Sequence, residues 1–140
     1  MRPGDLARLA EKMVIPSDLE AARGLQQQVL QRVRRLGYND GCAFAIRLAL
    51  EEALCNAIKH GNGMDRRKVV EVDCDIDADR AVLTVTDQGR GFDPASVPDP
   101  TADENLEKPT GRGIMLMRAF MDEVRFTERG NQVRMLKLNR

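Results

Sequence analysis

The sequence predicts an α+β protein, a two-layer α/β sandwich in which helices pack on one face of a mixed, mostly antiparallel sheet. Two long segments in the first half of the chain repeat apolar residues at helical spacing. Later segments alternate apolar with polar residues, as strands do, and short turns separate neighbouring strands. Helices alternate with strands too rarely for a doubly wound parallel sheet. Because 140 residues is the length of one ordinary domain, we expect residues 1–140 to form a single domain.

The composition argues against several classes of protein. Lys+Arg and Asp+Glu both number 22, so the net charge is zero and the usual electrostatic basis for non-specific nucleic-acid binding is missing. No apolar run reaches the ~20 residues that span a bilayer, and no signal-peptide core follows Met1, so we expect a cytoplasmic protein without a membrane partner. The three cysteines form no CxxC motif and His60 is the sole histidine, which predicts packed, reduced thiols and no metal cluster.

The first predicted elements are a strand and a helix. The pattern of residues 11–16 predicts a short strand that Pro16 ends. Residues 17–20 fit a capping box, in which the Ser17 side chain and Glu20 satisfy free backbone amides reciprocally. The helix that follows ends at Gly37. Its apolar face consists of Leu19, Ala22, Leu25, Val29, Val33 and Leu36.

A second predicted helix, capped by Asn39 or Asp40, runs to Gly61. Its apolar face consists of Ala43, Ile46, Leu50, Ala53, Leu54 and Ala57. A stripe on the opposite side carries three polar residues that are neighbours at helical spacing, namely Glu52, Asn56 and Lys59. The small residues Ala45 and Ala49 continue this stripe and leave room for a ligand. By itself, such a stripe is most often a solvated helix face.

The second half of the chain predicts two hairpins, separated by a long loop and a helix. The predicted strands cover residues 70–76, 81–86, 124–129 and 132–138. Residues 94–109 are rich in Pro, Asp and small polar residues and lack periodicity. A loop this long inside a compact domain is unusual unless it works as a lid or a binding loop. The last helix follows a Gly-x-Gly motif at residues 111–113.

Three groups of residues could surround one ligand. Glu52 and Asn56 lie one helical turn apart, and an amide oxygen can coordinate Mg²⁺ while a neighbouring carboxylate deprotonates a hydroxyl. Lys59, one turn further on, could meet phosphate charge. Asp87 ends a buried strand, where its carboxylate can accept a hydrogen bond from an exocyclic amine, and the glycines after it let the backbone approach a flat ligand.

The third group, Gly111 and Gly113, opens a helix, where free N–H groups and the helix dipole favour a phosphate. Each group also has a plain structural explanation, as a solvated helix face, a strand-ending turn or a helix start. Their order along the chain, with a long loop between the second and the third group, is nevertheless suited to enclosing one nucleotide.

These motifs resemble the N, G1 and G2 boxes of the GHKL (Bergerat-fold) ATPases, in the form Glu52…Asn56, Asp87-Gln88-Gly89-Arg90-Gly91 and Gly111-Arg112-Gly113. Within that superfamily the chain is similar to the anti-sigma-factor serine/threonine-protein kinases of bacterial partner-switching systems. The resemblance implies a Bergerat ATP-binding fold. It also implies an ATP/Mg²⁺-dependent kinase that phosphorylates a STAS-type anti-anti-sigma protein, sequesters a sigma factor and forms a homodimer.

The resemblance implies a role for each matching position. Glu52 would be the general base, Asn56 the Mg²⁺ ligand and Asp87 the partner of the adenine amine, while residues 94–110 would form the ATP lid. The nucleotide-binding positions would be Asn56, Lys59, Asp87, Gly89, Gly91, Lys108, Thr110, Gly111, Arg112 and Gly113. Relatives place an arginine in the lid near the second glycine box, and here Lys108 or Arg112 would have to replace it.

Two other functions fit the same residues. A non-catalytic module would bind ATP only to order the lid and set the affinity for a partner. A histidine-kinase catalytic fragment is disfavoured because the sequence shows no dimerising helical pair with a phosphoacceptor histidine ahead of the domain. His60 lies inside the predicted ATP-site helix, which is the wrong place for a phosphoacceptor.

Overall fold

A computed structural model describes residues 8–89 and 109–140, and for residues 109–112 it describes the backbone alone. The described elements follow the predicted order, with one addition after the second helix. They are β1 (Arg8–Pro16), α1 (Leu19–Arg35), α2 (Asp40–Cys55), a π-helical segment (Asn56–Gly61), β2 (Val69–Asp77), β3 (Arg80–Thr86), α3 (Pro109–Phe120), β4 (Glu123–Phe126) and β5 (Gln132–Leu138).

The strands form one five-stranded sheet in the order β1-β2-β3-β5-β4, and all four described strand pairs are antiparallel. The prediction of an α+β sandwich is confirmed, and no parallel pair occurs in the part of the chain that the structure describes. β1 and β4 are the edge strands, so the central strands β2, β3 and β5 carry most of the buried sheet face.

The core lies between the sheet and the helices. Alternate residues of β2 are buried, as the period of two predicts, and they face the apolar side of α1 and α2 in one cluster. Every residue of the predicted apolar face of α2 is buried, and the predicted face of α1 is buried or partly buried. The hydrophobic pattern therefore identified the core correctly.

The predicted capping box at the start of α1 is wrong. Asp18 is the N-cap, and its side chain accepts a hydrogen bond from the backbone N–H of Glu20 (3.1 Å). Ser17 is buried and instead donates to the carbonyl of Lys68 (2.9 Å), just ahead of β2. At α2 the N-cap is Asn39, whose side chain accepts from the N–H of Cys42 (2.8 Å).

The expected continuous α-helix to Gly61 is also wrong, because α2 changes at Asn56 into six residues of π-helix. Short π-helical stretches inside α-helices are frequent at functional sites. The wider turn ends in a bond from the N–H of Asn62 to the carbonyl of Ala57, five residues back (2.8 Å).

The predicted open stripe upstream of Glu52 is closed in the structure, since Ala45 and Ala49 are buried. At one end of α3, Gly113 lies against Glu52. At the other end, the rings of Phe44 and Phe120 meet edge to face with centroids 5.6 Å apart. The two helices therefore run antiparallel, and α3 packs along α2.

Candidate active site

The predicted site residues gather at the two ends of the π-helical segment. Its first residue, Asn56, follows Glu52 by four positions, and its last residue, Gly61, meets the strand-end motif that begins at Asp87. One helical segment thus joins the acid–amide pair to the first glycine motif. Residues 57 and 58 anchor it, because both are buried in the core.

At the first end, α3 brings its glycine motif onto the acid–amide pair. A Cβ on Gly113 would lie 2.6 Å from Oε2 of Glu52 and 3.4 Å from Nδ2 of Asn56. Any side chain at position 113 would therefore push against Glu52. The α3 backbone therefore comes close to Glu52 here, and a side chain at position 113 would displace the end of the Glu52 side chain.

Asn56 carries an unsatisfied polar atom. Its Nδ2 is buried and has no hydrogen-bond partner within the described part of the chain. An unpaired buried donor costs about 1–3 kcal/mol, so the site suits a ligand that supplies an acceptor such as a phosphate oxygen. If the Asn56 side-chain amide is rotated by 180°, Oδ1 takes the place of Nδ2 and can bind a cation. The buried donor therefore fits a ligand with phosphate oxygens, and Oδ1 of the same amide is the atom that would hold Mg²⁺.

Glu52 is partly buried beside this amide. Burial raises the pKa of its carboxyl group above the usual value, and the negative charge of Glu51 acts in the same direction. The positive charge of Lys59, which is exposed one turn further on, partly opposes that rise in pKa. A carboxylate with a raised pKa is a better proton acceptor near neutral pH.

At the second end, two glycines and a carboxylate pack in direct contact. A Cβ on Gly61 would overlap the carboxylate of Asp87, and a Cβ on Gly89 would overlap the carbonyl oxygen of Gly61. Oδ1 of Asp87 accepts the N–H of Gly89 (2.8 Å). Burial raises the pKa of Asp87, although this hydrogen bond and the positive charges of Arg129 and Lys68 act against the rise.

The β4–β5 turn holds this motif from the far side. The N–H of Asp87 donates to the carbonyl of Asn131 (2.9 Å), and Arg129 donates from its guanidinium to the carbonyl of Gly89 (3.0 Å). The predicted strands 124–129 and 132–138 place Arg129 at a strand end and Asn131 in the turn between them, without a role at the site. No motif marks them, because the contacts of Asn131 with Asp87 and of Arg129 with Gly89 depend on the pairing of β3 with β5.

The structure describes the remaining predicted site residues only in part. Gly91, Lys108 and most of the predicted lid lie outside the described residues. The glycine motif was expected ahead of the last helix, but the helix begins at Pro109, so Gly111 and Gly113 lie inside it. Thr110, Gly111 and Arg112 occupy the first turn, where backbone N–H groups have no partner within the helix.

Membrane-spanning helices and clusters of metal-binding side chains are both absent from the described ranges. No helix in residues 8–89 and 109–140 is long and apolar enough to cross a membrane. The same residues contain no group of three or more His, Cys, Asp or Glu side chains that could hold a metal ion.

Known proteins resemble this chain in sequence over most of its length. The sequence pattern of the histidine kinase-like ATPase domain matches residues 15–137. An anti-sigma F factor of Clostridium perfringens is 38% identical over 82 residues, which cover 56% of this chain and 58% of that protein. The serine-protein kinase RsbW of Bacillus velezensis is 31% identical over 123 residues, which cover 81% of this chain and 75% of that protein.

A solved structure shows the same fold. The crystal structure of the RsbU and RsbW domains of a Mycobacterium tuberculosis protein matches 94% of this chain and 32% of that chain, with a TM-score of 0.64 and 17% sequence identity. The chain belongs to the histidine kinase-like ATPase domain family, in the branch that contains the anti-sigma F factors and the RsbW serine-protein kinases. Membership of an ATPase domain family implies ATP binding. The matched part spans less than two thirds of the first of these relatives.

Proposed function

We propose that the protein is an ATP/Mg²⁺-dependent serine/threonine-protein kinase that acts as an anti-sigma factor. Its substrate would be a STAS-type anti-anti-sigma protein, and a sigma factor would be its other partner. The observation that carries this proposal is the close approach of Gly113, in the second turn of α3, to the carboxylate of Glu52 and the unpaired amide of Asn56. The names of the relatives, anti-sigma F factor and serine-protein kinase, support it.

The proposed reaction moves one phosphoryl group and one proton. The hydroxyl oxygen of a serine or threonine forms a bond to the γ-phosphorus of ATP, and the bond from that phosphorus to the β,γ-bridging oxygen breaks. The hydroxyl proton passes to the carboxylate of Glu52, and ADP leaves. The raised pKa of Glu52 suits it to accept this proton.

Other residues would bind the nucleotide. Asp87 would accept the hydrogen bond of the adenine amine, with Gly89 and Gly91 beside the base. Asn56 would hold Mg²⁺, which neutralises phosphate charge during transfer. The phosphates would meet the first turn of α3 and three cationic side chains, which are Lys59, Lys108 and Arg112.

The test uses the full chain with ATP, Mg²⁺ and a cognate STAS-domain protein, and measures acid-stable phosphoserine or phosphothreonine together with the Kd for ATP. Glu52→Gln removes the proton acceptor with little change in size, so phosphate transfer should fall at least ~100-fold while the Kd for ATP changes little. Asn56→Ala should weaken ATP binding more with Mg²⁺ present than without it.

Glu51→Gln is the matched control, because Glu51 is the exposed neighbour of Glu52 in the same helix. We expect this variant to retain phosphate transfer. Transfer that survives in Glu52→Gln would show that Glu52 is not the base. Tight ATP binding without product from any STAS-domain partner would favour the non-catalytic module, and acid-labile phosphate would favour histidine-kinase chemistry.

We propose a cytoplasmic homodimer as the working form. The exposed side of edge strand β1 supports this proposal, because Val14 is 54% exposed there and edge strands present unpaired backbone groups. Sedimentation of the protein with ATP, alone and with a sigma factor, tests both partners. A monomer that does not co-sediment with any sigma factor would refute this assembly.

A further inference from the structure

Two polar residues are buried in the core although the proposed chemistry uses neither. Ser17 and Asn62 are 1% and 2% exposed, and apart from Tyr38 and two cysteines they are the only buried residues with a polar side chain in the described ranges. They bond to each other, from Nδ2 of Asn62 to Oγ of Ser17 (2.8 Å). A buried polar side chain costs stability unless its hydrogen bonds are complete. The polar atoms of this pair therefore need hydrogen-bond partners inside the protein.

The amide of Asn62 is fully used, and its partners come from distant parts of the chain. Its Nδ2 donates to Ser17 and to the carbonyl of Val69 at the start of β2 (3.0 Å). Its Oδ1 accepts the backbone N–H of Gln88 (2.8 Å). One side chain therefore ties the end of β1, the start of β2 and the motif after β3 to the end of the π-helical segment.

Gln88 is the important partner, because it lies between Asp87 and Gly89. The side chain of Gln88 accepts the N–H of Val69 (2.8 Å), so the residue is held both by its backbone and by its side chain. The β4–β5 turn holds Asp87 and Gly89 from the opposite side. Loss of the Asn62 amide would remove the bond that holds residues 87–89 on the side of the core, and would leave the N–H of Gln88 unpaired.

We infer that Asn62 is a positioning residue for base selection. Its amide fixes the backbone at Gln88 and thereby the direction in which the Asp87 carboxylate meets the adenine amine. The inference rests on the proposed role of Asp87 in the ATP site. Asn62 would thus set the preference for a purine that carries an exocyclic amine. It would take no part in the phosphate transfer at Glu52.

The test compares the Kd for ATP with the Kd for purine riboside triphosphate, which lacks the exocyclic amine. The wild type should prefer ATP. In Asn62→Ala the Kd for ATP should rise about tenfold, and the preference over the amine-free nucleotide should largely disappear. A general loss of stability would weaken the binding of both nucleotides equally and would leave their ratio unchanged.

Tyr38→Phe is the control. It removes a buried hydrogen bond of similar kind, from the Tyr38 hydroxyl to the carbonyl of Asp77 (2.7 Å), at the opposite end of β2. This variant should keep the wild-type ratio of the two Kd values. An unchanged ratio in a folded Asn62→Ala protein would overturn the inference, and so would a wild type with no preference for ATP.

Hydrogen exchange in the wild type decides the matter if Asn62→Ala does not fold. The amide of Gln88 should exchange as slowly as the strand amides of β3, because a buried acceptor holds it. Exchange as fast as that of free loop amides would refute the positioning role. A wild type that binds ATP selectively but transfers no phosphate would refute the kinase proposal and leave this inference intact.

Discussion

At the scale of single residues, glycines set how closely the site can close. Gly89 has tighter surroundings than the other glycines of the described ranges, because a Cβ there would overlap the backbone oxygen of Gly61, which cannot rotate away. Gly89→Ala should therefore lower the free energy of unfolding by about 1–3 kcal/mol and weaken ATP binding. Urea unfolding and ATP titration measure the two effects.

Gly24→Ala provides the matched control for that prediction. Gly24 lies inside α1 with no atom within 4 Å of an added Cβ. Alanine is the better helix former, so this variant should gain about 0.5–1 kcal/mol in stability. Equal effects of the two substitutions would show that the close packing at Gly89 has no energetic importance.

Residue chemistry allowed part of the site to be predicted. Carboxylates, amides and glycines at short spacings identified Glu52, Asn56, Asp87 and Gly113 as candidates, and the structure brings them together at the two ends of one helical segment. Asn62 could not be recognised in the same way. Its partners lie up to 45 positions away in the sequence, so its role depends on strand pairing that a local pattern does not contain.

At the scale of elements, the packing of α3 on α2 holds the site together. The edge-to-face contact of Phe44 with Phe120 lies at the far end of the helix that carries Gly113. Such a ring pair contributes about 0.5–1.5 kcal/mol. Phe120→Ala should lower the Tm by a few °C and raise the Kd for ATP, because α3 would pack less firmly against α2.

Met115→Ala is the comparison for Phe120→Ala. Met115 lies in the same helix and is 49% exposed, against 40% for Phe120, but it has no ring contact. Its truncation should change the Tm and the Kd for ATP less than Phe120→Ala does. If both variants behave alike, the aromatic pair does not anchor α3.

The order of the elements could be predicted because apolar periodicity and turn residues are local signals. The π-helical segment could not be predicted, because an α-helix and a π-helix bury the same apolar residues as far as Ala57. What favours the wider turn is tertiary, since Asn62 is held at the end of the segment by bonds to the sheet. The start of α3 at Pro109 was missed because two glycines weaken any helical pattern.

At the scale of the whole molecule, ionisable groups in the core make the free energy of unfolding depend on pH in the alkaline range. Burial raises the pKa of the Cys74 thiol from about 9 to about 12, with a smaller contribution from the negative charge of Glu11. Burial also raises the pKa of Tyr38, and the negative charge of Asp77 adds to that effect. Both groups remain protonated in the folded protein at a pH where the unfolded chain releases its protons.

Stability must therefore fall as the pH rises above about 9, because in that range the folded state binds more protons than the unfolded state. Each group can contribute up to about 1.4 kcal/mol per pH unit between its unfolded and its folded pKa. Urea unfolding of the nucleotide-free protein between about pH 8 and 11 measures the slope. In Cys74→Ala the slope should be shallower, even though the variant is less stable at neutral pH.

Val72→Ala distinguishes titration from simple loss of packing. Val72 is a fully buried neighbour of Cys74 on the same face of β2 and carries no proton to lose. Its truncation should lower the free energy of unfolding by a similar amount at every pH, so its curve should run parallel to that of the wild type. A Cys74→Ala curve that is also parallel to the wild type would show that the thiol ionises equally in the folded and unfolded states, and that burial in β2 does not protect it.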